Sequence, residues 1–218
     1  MTTPGISGPV LPSLNEFNSL FERNGVQFVA SGLAGNYGTA SAETIITGLE
    51  DQLSYSAGGF HYRSEGYRFN NDIHHNIGSA FIQYAATPQL NIQAEVRHRE
   101  TEHGDILLTI LPGTYSNTYR RALDQATARL GAYWSGSATA DTLLSLIHTT
   151  ANERQHFHGG GRATLRSHDQ GIQMEAQQLL RYDHFNFVVG AGYYAFDVHE
   201  KIFGTENQCK RSRKNAYG

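Results

Sequence analysis

Apolar and polar residues take turns along most of this chain. In Leu90–Glu100, Leu90, Ile92, Ala94 and Val96 hold every second position, and Asn91, Gln93, Glu95 and Arg97 hold those between. A period of two is the strand signature, because successive side chains leave opposite faces. Ile77–Ala86 repeats it, with Ala80, Ile82 and Tyr84 against Ser79 and Gln83. Gln125–Ser135 sets Ala126, Ala128, Leu130, Ala132 and Trp134 against Gln125, Thr127, Arg129 and Tyr133. Thr142–Thr150 follows, its phase blurred by Leu143 and Leu144. Ile172–Arg181 offers Ile172, Met174, Ala176 and Leu180; Phe185–Phe196 offers Phe185, Phe187, Val189, Ala191 and Tyr193. Val26–Gly35, Ala42–Leu49 and Leu53–Arg63 alternate more weakly, and Gly58-Gly59 predicts a bulge in the last.

These segments predict an all-β chain of about nine antiparallel strands, and the connections between them predict which kind. Long gaps (Ser64–Asn76, Thr101–Asp124, Ala151–Gly171) alternate with short ones (Ala86–Gln89, Gly136–Ala140, Tyr182–His184). Outer-membrane barrels have short turns on one side and long loops on the other, and their strands run about nine to eleven residues. Soluble strands are typically about five to six. Tyr62, Tyr84, Tyr133, Trp134, Tyr193 and Tyr194, near strand ends, suggest an interfacial aromatic girdle. The expectation is an up-and-down transmembrane β-barrel segment. An odd strand number makes it incomplete, since bacterial barrels close with an even one. A soluble all-β binding domain is the competing reading.

Composition agrees with strands and turns. Gly numbers 23 and Tyr plus Phe 23 (12 and 11), against 2 Met, 1 Cys and 1 Trp. The mean hydropathy of -0.45 is compatible with a barrel, whose strands show lipid an apolar residue only at alternate positions. No apolar run reaches the length of a spanning helix. A net charge of -3 gives no reason to expect a nucleic-acid partner, and one Cys excludes an internal disulfide framework.

The start, Met1-Thr2-Thr3-Pro4-Gly5, does not read as a signal peptide, which on the outer-membrane reading makes the chain an expected fragment. The predicted organisation is a lead-in at 1–24, a barrel segment at 25–203 and a disordered basic tail at 204–218. Leu11–Asn24 has the spacing of a short amphipathic helix, and the tail carries Lys210, Arg211, Arg213 and Lys214 without alternation.

Candidate site residues follow from strand parity. Ile92, Ala94, Val96, Leu130, Trp134, Phe187 and Val189 are expected to face lipid, and Gln93, Glu95, Arg97, Arg99 and Arg129 the lumen, where charged rows set a pore's field. His74, His75, His103, His156, His158 and His168 fall in or beside long connections, where solvated polar residues are the plain reading. No metal site and no cofactor is expected. Ser145 and His148 lie three apart and so point to opposite faces, and no nucleophile-elbow motif occurs, so no enzyme is expected.

The run from Gly59, GFHYRSEGYRFNNDIHHNIGSAFIQYAATPQLNIQAEVRHRETEHGDILL, resembles the barrel of TonB-dependent-receptor-like bacterial outer-membrane proteins. The subset found after tetratricopeptide-repeat regions is the nearest in flavour. PSLNEFNSLFERNGVQFVASGLAGN upstream and RRALDQATARLGAYW and FNFVVGAGYYAFD downstream extend the resemblance over roughly residues 11 to 200. It implies solute passage across the outer membrane, with membrane lipid, an external ligand or small solute, and a TonB-type or periplasmic repeat protein as partners. No TonB-box, plug or tetratricopeptide repeat is recognisable in the sequence. An export barrel coupled to a periplasmic repeat region is the alternative transport reading.

Overall fold

The computed structural model describes residues 24–106, 115–158, 162–202 and 205–217. They form one antiparallel sheet of ten strands in chain order: β1 Gly25–Ala34, β2 Ala40–Glu50, β3 Leu53–Ser64, β4 Ile73–Thr87, β5 Leu90–His103, β6 Arg120–Ser137, β7 Ala140–His158, β8 Arg162–Arg181, β9 Asn186–Ile202 and β10 Thr205–Tyr217. Every neighbour in the sheet is the neighbour in sequence, so the topology is purely up-and-down, and the sheet is not closed.

One end carries tight turns, at Asp51-Gln52, Pro88-Gln89, Ala138-Thr139 and Tyr182–Phe185. Asp51 takes a φ of 52°, and its turn is tied by Asn24, whose side chain donates to Asp51 Oδ1 and accepts from Asp51 N, both at 2.9 Å. The other end carries Gly35–Thr39, Glu65–Asp72 and Gly104–Tyr119, the last of them the longest, and β6–β9 are the longest strands, at 17 to 20 residues.

Register fixes two faces. Ile92 pairs with Tyr84 and Ala132, and the same parity collects Phe28, Ile46, Ala57, Ala80, Val96, Leu130, Leu144, Met174 and Ala191 on one side. Gln93 pairs with Gln83 and Gly131 on the other. Burial concentrates on this second face: His75, Ile77, Phe81, Gln83, Gln93 and Glu95 are buried, while Ile92, Val96, Leu130 and Trp134 are about half exposed. A single layer buries side chains only against their own neighbours. The core, such as it is, therefore lies among long side chains crowding the polar face of β3–β6.

Several expectations are corrected. The described residues hold ten strands where about nine were expected; the added one is residues 205–217, expected to be a disordered tail, which form β10 against β9. Backbone pairing holds it, which needs no apolar pattern. The gap Ala151–Gly171, expected as a long loop, is almost wholly strand, because β7 and β8 run on as a polar hairpin of 19 and 20 residues. His156, His158 and His168 are consequently strand residues, and His74, His75 and His103 lie in β4 and β5. Register is continuous through Gly58-Gly59, and the irregularities fall at Ala85/Thr87 and Ser135/Ser137 beside tight turns. The helix expected over Leu11–Asn24 lies outside the described residues, save Asn24.

Candidate functional site

The polar face is a wall that can be read row by row from the register. One row runs Ser54, Gln83, Gln93, Gly131, Ser145, Glu175. The next runs Ser56, Phe81, Glu95, Arg129, Ile147, Gln173, and the next Gly58, Ser79, Arg97, Thr127, Thr149. Above it come Phe60, Ile77, Arg99, Gln125, Ala151, then Tyr62, His75, Thr101, Leu123, Glu153. All five residues expected on the polar side, Gln93, Glu95, Arg97, Arg99 and Arg129, stand on this one wall within two adjacent strands.

Its polar groups are cross-linked. Arg129 donates to Glu95 Oε2 at 3.3 Å, Arg99 to Gln125 Oε1 at 2.7 Å, and Arg121 to Glu153 Oε1 at 2.8 Å. The hydroxyls of Thr127 and Thr149 bond each other at 3.3 Å, and His75 bonds Thr101 at 2.7 Å. Gln93 is 1% exposed, and its amide sits where a Cβ on Gly131 would come within 3.0 Å, so Gly131 leaves the room that Gln93 fills. At the tight-turn end, fully buried Asp141 is paired with Arg181 on the neighbouring strand.

The opposite face holds all seven residues expected there: Ile92, Ala94, Val96, Leu130, Trp134, Phe187 and Val189. Its composition changes with height. On β5 it reads Ile92, Ala94, Val96, then His98, Glu100, Glu102; on β7 it reads Leu144, Leu146, then His148, Thr150, Asn152, Arg154. The apolar band thus hugs the tight-turn half of β1–β9, and on β3–β9 a polar belt lies above it. Tyr55 lies across Gly48 within the band, its ring where a Cβ would stand. A shallow trough of about 990 Å³ runs over the band from Ile92 to Ala216, floored by Ala132, Ala176 and Ala191. Of the expected aromatic girdle, Tyr84, Trp134 and Tyr193 are on this face. Tyr62, Tyr133 and Tyr194 point the other way, as adjacent residues on a strand must. β10 departs from the pattern, with Lys214 at the height of Tyr193.

In the polar belt, His98, Glu100 and Asp124 bring three ligand-type atoms within 4.8 Å of one another. All three residues are exposed, and His98 Nε2 is engaged with Asp124 Oδ2 at 2.9 Å.

The long-connection end holds a network that strand patterning misses. Loops Glu65–Asp72 and Gly104–Tyr119 are tied together. Asn70 donates to the carbonyls of Ser116 and Tyr119 at 2.8 and 2.9 Å, and Asn71 donates to that of Asp105 at 2.8 Å. The backbone adds Gly104 N to Asp72 O at 2.9 Å and Asp105 N to Asn70 O at 2.6 Å. Asp105, 7% exposed, accepts from Ser116 N at 2.6 Å and pairs with Arg68 at 3.5 Å. Arg68 also lies over the Tyr115 ring at 4.8 Å. Gly104 is required here, since a Cβ would stand 2.2 Å from Asn70 O; Gly66 is required by its φ of 76° and the same distance to Asn71 O. Arg120 grips both oxygens of Asp72 at 2.6 and 2.7 Å. Partial burial alone would raise the Asp72 pKa, but the Arg120 hydrogen bonds and charge outweigh it and hold the carboxyl below its ordinary value. Desolvation raises that of Tyr119, whose ring packs on Phe157 at 5.2 Å. The signal available in sequence was Asn70-Asn71-Asp72 between two strands, residues that bond backbone in turns.

No protein-family model matches the chain, and no curated protein matches it in sequence. Solved structures do. The ferric citrate transporter FecA in its unliganded form superposes with a TM-score of 0.59 at 12% identity, over 86% of this chain and 30% of that one. The ferric yersiniabactin uptake receptor FyuA from Yersinia pestis superposes with a TM-score of 0.52 at 13% identity, over 88% and 37%. The fold is that of a segment of these two β-barrels. The chain spans about a third of the length of the proteins it matches, and at this identity the likeness concerns the fold.

Proposed function

We propose that this chain is part of a TonB-dependent-receptor-like outer-membrane barrel and contributes to passage of a solute across the outer membrane. The observation that carries the reading is the apolar band, continuous across β1–β9 on the face opposite the polar wall. A band of exposed apolar residues this wide on a soluble protein would be an aggregation liability; against lipid it is an anchor. From Trp134 to Ala126 the band climbs nine residues of β6. That is roughly 26 Å along the strand and roughly 20 Å after a ~40° tilt, close to the ~25 Å apolar belt of such barrels.

On this reading Ile92, Ala94, Val96, Leu130, Trp134, Phe187 and Val189 face lipid. Gln93, Glu95, Arg97, Arg99 and Arg129 face the lumen, the tight turns are periplasmic, and the tied loops Glu65–Asp72 and Gly104–Tyr119 meet external ligand. Among the described residues the outer edges of β1 and β10 are unpaired, and an open edge is not tolerated in hydrocarbon, so this reading calls for further strands there. The neighbours are transport proteins, which favours uptake over catalysis. The test is refolding with and without detergent micelles, read by circular dichroism. Detergent-dependent β structure is expected, and a cooperative β fold in plain buffer would return the soluble-domain reading.

A further inference from the structure

The middle of the polar wall carries more positive charge than its neighbours balance. Arg97 and Arg99 are two residues apart on β5, so both side chains leave the same face with backbones roughly 7 Å apart. Arg121 on β6 is near enough to repel Arg99. Around them the acids are already engaged: Glu153 by Arg121 and Glu95 by Arg129. Asp169 and Glu43, both on the row of Arg99 but three strands away on either side, accept hydrogen bonds from Ser167 and Ser31. Among the described residues, neither Arg97 nor Arg99 has a carboxylate partner. Arg99 gives one N–H to Gln125, and its Nε–H is buried without an acceptor. Arg97 is flanked by hydroxyls, with Ser79 on one side and Thr127 on the other.

Crowded like charges on one face cost free energy, which a bound counter-charge recovers. A guanidinium offers a planar fork of donors matched to carboxylate and phosphate oxygens, and small hydroxyls complete such a site. We infer that the polar wall holds an oxyanion site, centred on Arg97 and Arg99, that takes a solute bearing two or more carboxylate or phosphate groups. The inference rests on the proposed function, in which this wall faces a water-filled interior. It narrows the solute to a multiply charged anion and gives the two arginines the job of holding it.

The experiment uses the full chain refolded in micelles of a neutral detergent. Tricarballylate and inorganic phosphate are titrated calorimetrically at fixed ionic strength, with sodium chloride making up the balance. Saturable binding of at least one is expected in the wild type. Arg97→Gln with Arg99→Gln is expected to weaken it about tenfold or more, the scale of losing charge-assisted hydrogen bonds. Arg166→Gln with Lys201→Gln removes the same charge from the opposite face and is expected to leave binding unchanged. Arg97→Lys with Arg99→Lys keeps the charge, loses the fork and is expected to fall between. No saturable binding by the wild type, or equal weakening by both neutralising pairs, overturns the inference. Failure of the barrel reading appears separately, as β structure that forms without detergent.

Discussion

At the residue scale, parity does most of the work. Ile92 and Gln93 are neighbours in sequence, yet Ile92 is 46% exposed and Gln93 is 1% exposed. On the proposed reading a charge at Ile92 lies against lipid, so Ile92→Arg is expected to cost roughly 2–4 kcal/mol of membrane-folded stability. Denaturant titration in vesicles measures it. From sequence alone, Gln93→Arg looks like the harmless control, but the packing of Gln93 against Gly131 makes it a poor one. Thr47→Arg, on the polar face of β2 in the row of Glu95, is the better choice and is expected to be tolerated. Equal losses at positions 92 and 47 would argue against the facing assignment. Which residues share a face was legible in the alternation of Leu90–Arg97 and Ala126–Trp134. Which of them are buried was not, because the burial of Gln93 and Asp141 depends on partners on the neighbouring strand, Gly131 and Arg181, which are far away in sequence.

At the element scale, the tied loops are the most specific construction in the molecule. Asn70 sits at a φ of 55° and spans both loops through its amide. Asn70→Ala is expected to lose two hydrogen bonds and strain the backbone, about 1–3 kcal/mol in local stability. Hydrogen exchange should then rise at residues 104–106 and 115–119 while the strands stay protected. Uniform loosening would mean the loops are not an independent unit. The Asp72–Arg120 pair makes this end acid-sensitive. A carboxyl depressed by folding contributes stability that is fully present above its unfolded pKa and is lost as pH falls through the lower folded one. Loosening through this pair is therefore expected only below about pH 4, and Asp72→Asn should reduce the pH dependence while loosening the loops at every pH, leaving the part carried by Asp105 and Glu102. The tight turns and the strands beside them were legible, because Pro88 and the Gly136–Ala140 linker interrupt clear alternation. The upper halves of β7 and β8, and all of β10, were not. Where both faces are polar the period leaves no trace, and only hydrogen-bonded pairing makes the strand.

At the scale of the whole molecule, the sheet is a wall with two chemistries. Its up-and-down order and its turn asymmetry were readable in the spacing of the segments. Its open edges, and a match to about a third of each neighbouring transporter, fit a piece of a larger cylinder. The central claim is that the apolar face meets hydrocarbon, and the chain carries its own probe. Trp134 is the single tryptophan, lies on that face and is 54% exposed. The chain would be refolded into phosphatidylcholine vesicles with and without brominated acyl chains, and its tryptophan fluorescence compared. The expected result is a blue-shifted emission strongly quenched by bromine in the acyl region. An emission that stays red-shifted and unquenched, in protein whose circular dichroism reports the folded sheet, would contradict the account.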